Sequence, residues 1–171
     1  STKNWMRSKT EVDALMQLIL DFFASEIDEL TQNNVRITIL GDKAGLPAPQ
    51  REVLEKAEEH TRSLTGLRLN IAVNYGGRRE IALAFEKLHE KLQNGEISGR
   101  ITEEMISDEL FTAGQPDPDL IVRTSGEMRL SNFLTWQSVY SELYFTDVLW
   151  PDMNEEEVDK AVADYYSRQR R

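Results

Sequence analysis

Arg123 and Arg129 flank a turn of small residues, Thr124, Ser125 and Gly126, and Ser131 follows closely behind. Forked guanidiniums are the side chains best matched to the paired oxygens of carboxylates and phosphates. The apolar residues Leu120, Ile121 and Val122 precede them, opened by a Pro118–Asp119 turn, and read as a short buried strand. Ser131 reads as the N-cap of a helix through Phe133, Leu134, Trp136 and Gln137. Strand, turn and helix start in that order place the turn at the carboxyl edge of a sheet, where open α/β folds bind ligands. With the free N–H groups of a helix start, the arginines would form a receptor for a doubly charged phosphate group. A plainer reading competes: Arg123 and Arg129 make weak surface ion pairs with Glu127 or nearby carboxylates.

These residues need a scaffold, and the chain is long enough to build one. Its 171 residues, 40% of them hydrophobic, suit a single domain spanning residues 1–171 around one core. A formal charge of −10 argues against nucleic acid as a partner, since phosphate backbones need a basic face. The absence of cysteine excludes disulfides, thiolate metal sites and a cysteine nucleophile, and suits a reducing cytoplasm. No apolar run approaches the length of a membrane span.

Along the chain, Thr10 with Asp13 suggests a capping box, and a helix is expected to about Asn33. Its apolar positions (Val12, Leu15, Met16, Ile19, Leu20, Phe22, Phe23, Ile27 and Leu30) form a stripe wider than one packed face requires. Such a helix is buried on two sides or borders a cavity. Residues 35–40 read as a strand. Pro47 and Pro49 open a helix carrying Val53, Leu54, Ala57 and Leu64 inward, with His60 on its solvated face. Residues 67–73 alternate as a second strand, ending in Asn74-Tyr75-Gly76-Gly77-Arg78, which reads as a structural turn. A helix follows with Ile81, Phe85, Leu88 and Leu92 on one stripe; His89, on the same helix, has no evident role. Thr102 opens a short helix, residues 142–146 form a strand, and Asn154 with Glu157 opens a last helix, with Val158, Ala161, Val162 and Tyr165 inward. Strands alternating with helices predict an α/β fold with a mostly parallel central sheet. The first helix has no strand before it, so the sheet is incomplete as written.

The run R-T-S-G-E-x-R-L-S-N-F-L-x-W-Q, followed by Y-S-E-L-Y-F-T-D-V-L-W-P-D, resembles the C-terminal signature of the cis-prenyltransferases, most closely the bacterial undecaprenyl diphosphate synthases. Ser1-Thr2-Lys3-Asn4-Trp5 with Arg7, then Asn74 to Arg78, and the closing Arg170-Arg171 match in the same order, so the resemblance covers the whole chain. It implies condensation of isopentenyl diphosphate onto an allylic diphosphate such as farnesyl diphosphate, by a Mg2+-dependent homodimer. The cytoplasmic enzyme would meet the inner membrane face peripherally, through its lipid product.

By the same resemblance, Arg123, Arg129, Leu130 and Ser131 hold the isopentenyl diphosphate head group, and Glu142 is the magnesium-associated carboxylate. Ser1, Thr2, Lys3, Trp5 and Arg7 lie over the reacting ends of both substrates, and Asn4 takes the catalytic position. An amide is a poor base, so positioning of diphosphate or water suits Asn4 better than proton abstraction. The first long helix lines the tunnel for the growing prenyl chain. Lys3 stands where the family has Glu and Ser8 where it has Pro. The family also carries an upstream segment with an M-D-G-N-x-R-W motif and the first strand, and a C-terminal Phe-Gly-Gly, neither of which this sequence contains. The alternative is a prenyltransferase-like subunit that binds diphosphates or a partner without turnover.

Overall fold

The computed structural model describes residues 1–168, so Arg170 and Arg171 lie outside the described residues. Two compact units divide the chain, Ser1–Phe111 and Thr112–Arg171.

The first unit opens with a 3-10 turn (Thr2–Met6) and helix α1 (Lys9–Gln32). The capping box is Ser8–Glu11, not Thr10–Asp13: Ser8 Oγ accepts from Glu11 N–H at 3.4 Å, and Glu11 Oε2 accepts from Ser8 N–H at 3.2 Å. A glutamate reaches back across the first turn, as the motif requires, and position 13 offers only the shorter aspartate. Ser8 therefore has a local reason to replace proline, which has no N–H to give Glu11.

Strands β1 (Arg36–Leu40) and β2 (Arg68–Ala72) pair in parallel, Arg36 opposite Arg68 and Leu40 opposite Ala72. Helix α2 (Ala48–Thr61) makes the crossover that parallel pairing demands. Its Leu54 and Ala57 join Phe23, Ile37, Ile39 and Leu46 in the buried core. The outer edge of β1 is closed by side chains of α2. Ile37 N–H donates to Thr61 Oγ1 at 3.0 Å, and Ile39 N–H to Glu58 Oε1 at 2.8 Å.

Helix α3 (Gly77–Gln93) buries Gly77, Glu80, Ala84 and Leu88. The expected stripe was displaced: Phe85 is exposed, and a carboxyl group sits in the core instead. Glu80 tolerates this because Tyr75 Oη donates to Oε2 at 2.5 Å and Phe111 N–H to Oε1 at 2.9 Å. Helix α4 (Glu103–Ser107) is capped by Thr102, as its sequence predicts.

In the second unit, β3 (Leu120–Arg123) and β4 (Glu142–Phe145) pair in parallel, with Leu120 opposite Glu142 and Arg123 opposite Phe145. Helix α5 (Glu155–Ser167) starts at Asn154, whose side chain accepts from Glu157 N–H at 3.1 Å. Ala161 is its buried contact and Tyr165 is half-buried, whereas Val158 and Val162, expected inward, are exposed. A small residue at the seam brings the helix close while its flanking valines face outward.

The helix expected after Ser131 does not form. Ser131, Asn132 and Leu134 have φ of 52°, 67° and 46°, left-handed values that interrupt a right-handed helix, and turns occupy residues 131–140. Every strand pairing is parallel and interleaved with helices, the expected α/β pattern; among the described residues the strands form two two-stranded sheets.

Candidate functional site

Each unit gathers part of the expected constellation at the carboxyl ends of its own strands. In the first unit, residues 1–7 lie against the exits of β1 and β2. Thr2 N–H donates to Tyr75 O at 3.0 Å, and the Trp5 indole Nε1–H donates to Asn74 Oδ1 at 2.7 Å. Asn74 Nδ2 in turn donates to Asp42 O at 2.9 Å, joining the two strand exits. The exits run backbone to backbone: a Cβ on Gly41, at φ 140°, would stand 1.9 Å from Val73 O. Only glycine permits that approach. The Asp42 carboxylate accepts from Gly45 N–H at 3.3 Å and lies 3.6 Å from the Arg79 guanidinium.

Ser1, Thr2, Lys3, Asn4 and Trp5 thus share one turn at this edge. Ser1 Oγ accepts from Lys3 N–H at 3.3 Å, and Asn4 backbone bonds to Ser1 and Arg7 close the turn. Lys3 is exposed and Asn4 half-buried. Arg7 approaches Glu11 at 3.6 Å with both side chains well exposed, a weak pair.

Part of the wide stripe of α1 borders a space on this unit too. A cavity of about 560 Å³ opens between α1 and α2, lined by the apolar side chains of Leu20, Phe23, Ala24, Ile27, Val53 and Ala57. Asp28, Lys56, Glu59 and His60 also line it, so His60, although exposed, faces this space.

In the second unit, Arg123 closes β3 at the point where the small-residue turn begins. Ser125 N–H donates to Val148 O at 2.8 Å and Gly126 N–H to Thr146 O at 3.0 Å, which pins the turn against the exit of β4. The Arg123 Nε–H is buried with no hydrogen-bond partner. A buried donor without an acceptor is uncommon and marks a place for a ligand or water. Arg129 behaves as the plainer reading predicts: its mostly exposed guanidinium lies against Glu127 Oε2, though without an aligned hydrogen bond. Leu130 O accepts from Phe133 N–H at 3.0 Å, and Ser131 follows in a left-handed turn. Arg123 ends β3 before the small-residue turn and Arg129 follows that turn, but Ser131 offers no helix N-terminus.

Glu142, the first residue of β4, is engaged by a residue that sequence reasoning missed. Arg168 Nη1 donates to Glu142 Oε2 at 2.6 Å, Nη2 to Leu143 O at 2.9 Å, and Nε to Asp164 Oδ2 at 2.9 Å. The bonds to Glu142 and Asp164 raise the pKa of the guanidinium further. The Asp164–Arg168 spacing on a helix was the available signal; its link to Glu142 depends on tertiary packing. Among the described residues, no group of three His, Cys, Asp or Glu side chains is placed to hold a metal ion. Glu142 brings one carboxylate, with one oxygen bound to Arg168; magnesium held through so few protein ligands takes the rest of its shell from substrate phosphates and water. No helix among the described residues is long and apolar enough to cross a membrane.

The family profile described as "Putative undecaprenyl diphosphate synthase" matches residues 1–171. An isoprenyl transferase of Clostridium perfringens is 48% identical over 172 aligned positions, covering 100% of this chain and 68% of the relative. That of Streptococcus pneumoniae R6 is 49% identical over 176, covering 100% and 70%. Lavandulyl diphosphate synthase from Lavandula x intermedia, solved in complex with dimethylallyl diphosphate, superposes with a TM-score of 0.94 at 37% identity, over 99% of this chain and 74% of that one. A "probable undecaprenyl diphosphate synthase" from Campylobacter jejuni superposes with a TM-score of 0.88 at 32% identity, over 99% and 78%.

Proposed function

This chain belongs to the undecaprenyl diphosphate synthase family of isoprenyl transferases, and from that premise we propose that it extends an allylic diphosphate by cis condensation with isopentenyl diphosphate. The C4 carbon of isopentenyl diphosphate forms a bond to C1 of the allylic substrate. The C1–O bond breaks, inorganic diphosphate leaves with the electron pair, and a proton lost from C2 of the added unit generates the new cis double bond. Farnesyl diphosphate is the proposed primer and a long polyprenyl diphosphate of the undecaprenyl type the proposed product, made by a homodimer beside the membrane that takes up the lipid.

The observation that carries the proposal is the orphaned Nε–H of Arg123 at the end of β3. An anion seated there would accept the bond that the protein leaves open, and a guanidinium supplies that bond with its charge. Arg129, once drawn from Glu127, adds a second fork, and Leu130 and Ser131 follow on the same turn. In the first unit, residues 1–7 would lie over the reacting carbons, with Asn4 orienting diphosphate or water. The apolar space between α1 and α2 would shelter the hydrocarbon from water. The relative solved with dimethylallyl diphosphate supports the substrate class. Magnesium would enter with the diphosphates, and Glu142 is the carboxylate proposed to meet it.

The internal pairs Arg129–Glu127 and Arg168–Glu142 favour a second reading, a diphosphate-binding or scaffold subunit without turnover. One experiment separates them. The purified full-length protein is incubated with isopentenyl and farnesyl diphosphates and Mg2+, and products are measured by mass spectrometry. Chain-extended diphosphates, lost in Arg123→Ala, are expected; calorimetric binding of isopentenyl diphosphate with no product would install the second reading.

A further inference from the structure

We propose that Asn74 is a positioning residue, a side-chain clasp that orients Trp5 at the carboxyl edge of β1 and β2. The proposal rests on the preceding reading of residues 1–7 as the segment over the reacting ends. Asn74 sits at φ 48°, a left-handed value that asparagine adopts more readily than most residues. There its amide spans two segments far apart in sequence, accepting from the Trp5 indole at 2.7 Å and donating to the Asp42 carbonyl at 2.9 Å.

The chemistry fixes which way the amide faces. Indole Nε1–H only donates and a backbone carbonyl only accepts, so Oδ1 must meet Trp5 and Nδ2 must meet Asp42. Neither Asp nor Leu, the near isosteres, satisfies both contacts. Gly45 keeps the space open, since a Cβ there would stand 2.9 Å from Asn74 Nδ2. Trp5 is itself 41% exposed, so burial alone does not fix its ring. The Thr2–Tyr75 backbone bond holds the start of the segment independently. Loss of the clasp therefore leaves the segment docked and the fold intact, but frees the indole to leave its orientation.

The test uses the full-length protein labelled with 5-fluorotryptophan, with Trp5→Phe identifying the Trp5 resonance by its disappearance. In Asn74→Gly, which accepts the left-handed backbone, the Trp5 19F signal should shift toward the free amino acid and sharpen. Turnover of isopentenyl and allylic diphosphates should fall about tenfold in kcat/KM, the loss expected for one hydrogen bond, with kcat the more affected. Because Trp5→Phe cuts the same bond, the double variant should be no worse than the poorer single variant. An unmoved Trp5 resonance in Asn74→Gly, or effects of the two substitutions that multiply, overturns the clasp. The unsubstituted protein guards the underlying reading: if it binds isopentenyl diphosphate without forming chain-extended product, the proposed function fails, and the 19F signal alone decides the role of Asn74.

Discussion

Replacing Arg123 by Met separates two quantities that usually fall together. The Arg123 Nε–H is buried at the end of β3 without an acceptor, and an unsatisfied buried donor costs about 1–3 kcal/mol. Met keeps an unbranched stem and removes the donor, so the ligand-free protein should be unchanged or more stable by up to about 2 kcal/mol. For a chain of this size, each kcal/mol moves Tm by about 2–4 °C. Diphosphate binding should move the other way. A guanidinium contributes charge-assisted bonds of about 1.5–3 kcal/mol each, and two at the lower end give about 3 kcal/mol. That is roughly a hundredfold loss of affinity for isopentenyl diphosphate. Scanning calorimetry without ligand measures the first effect, and isothermal titration with isopentenyl diphosphate and Mg2+ the second. A Tm several degrees lower with unaltered binding would refute the reasoning, because Arg123 would then be a structural residue whose partner lies within the protein.

Further outcomes follow from the fold. Ser8→Ala removes the α1 capping box and should cost about 1 kcal/mol by urea denaturation. The Ser8 side-chain and backbone bonds hold the Glu11 carboxyl below its ordinary value of 4.5. Their contribution is present above that value and lost as pH falls through the lowered one, so the gap between wild type and Ser8→Ala should narrow on acidification. Glu80→Ala withdraws the acceptor of both the Tyr75 hydroxyl and the Phe111 N–H, and should destabilise by about 2–4 kcal/mol in the same assay. Ala24→Phe fills the space between α1 and α2; product mass spectra should shift to shorter chains by whole isoprene units, and an unchanged distribution would remove that cavity from the proposed mechanism.

Much of this was written locally and could be read locally. The four strands stand where alternation and flanking turns place them, and Thr102 and Asn154 cap their helices as the side-chain chemistry predicts. Arg123 ends β3, where the apolar run before it and the small-residue turn after it place it. The misses have two causes. Ser131 carries a capping side chain, but the backbone around it turns left-handed, which residue preference did not reveal. Glu80 entered the core because Tyr75 and Phe111 satisfy it, and Glu142 is held by Arg168; these partners meet only after folding. Local preference reads strand runs and most caps, but it cannot see a donor supplied from a distant part of the chain.

The side chains that close the outer edge of β1 bear on when that edge is shielded during folding. An uncovered strand edge invites ladders with other molecules, and here Thr61 and Glu58 occupy the donors such a ladder would use. That protection arrives only when α2 docks. A chain in which β1 and β2 had paired ahead of the helix would expose a short, aliphatic edge, Ile37 and Ile39 foremost, the kind of edge that invites association. The helix that walls the apolar cavity is thus also the chaperone of the strand beneath it.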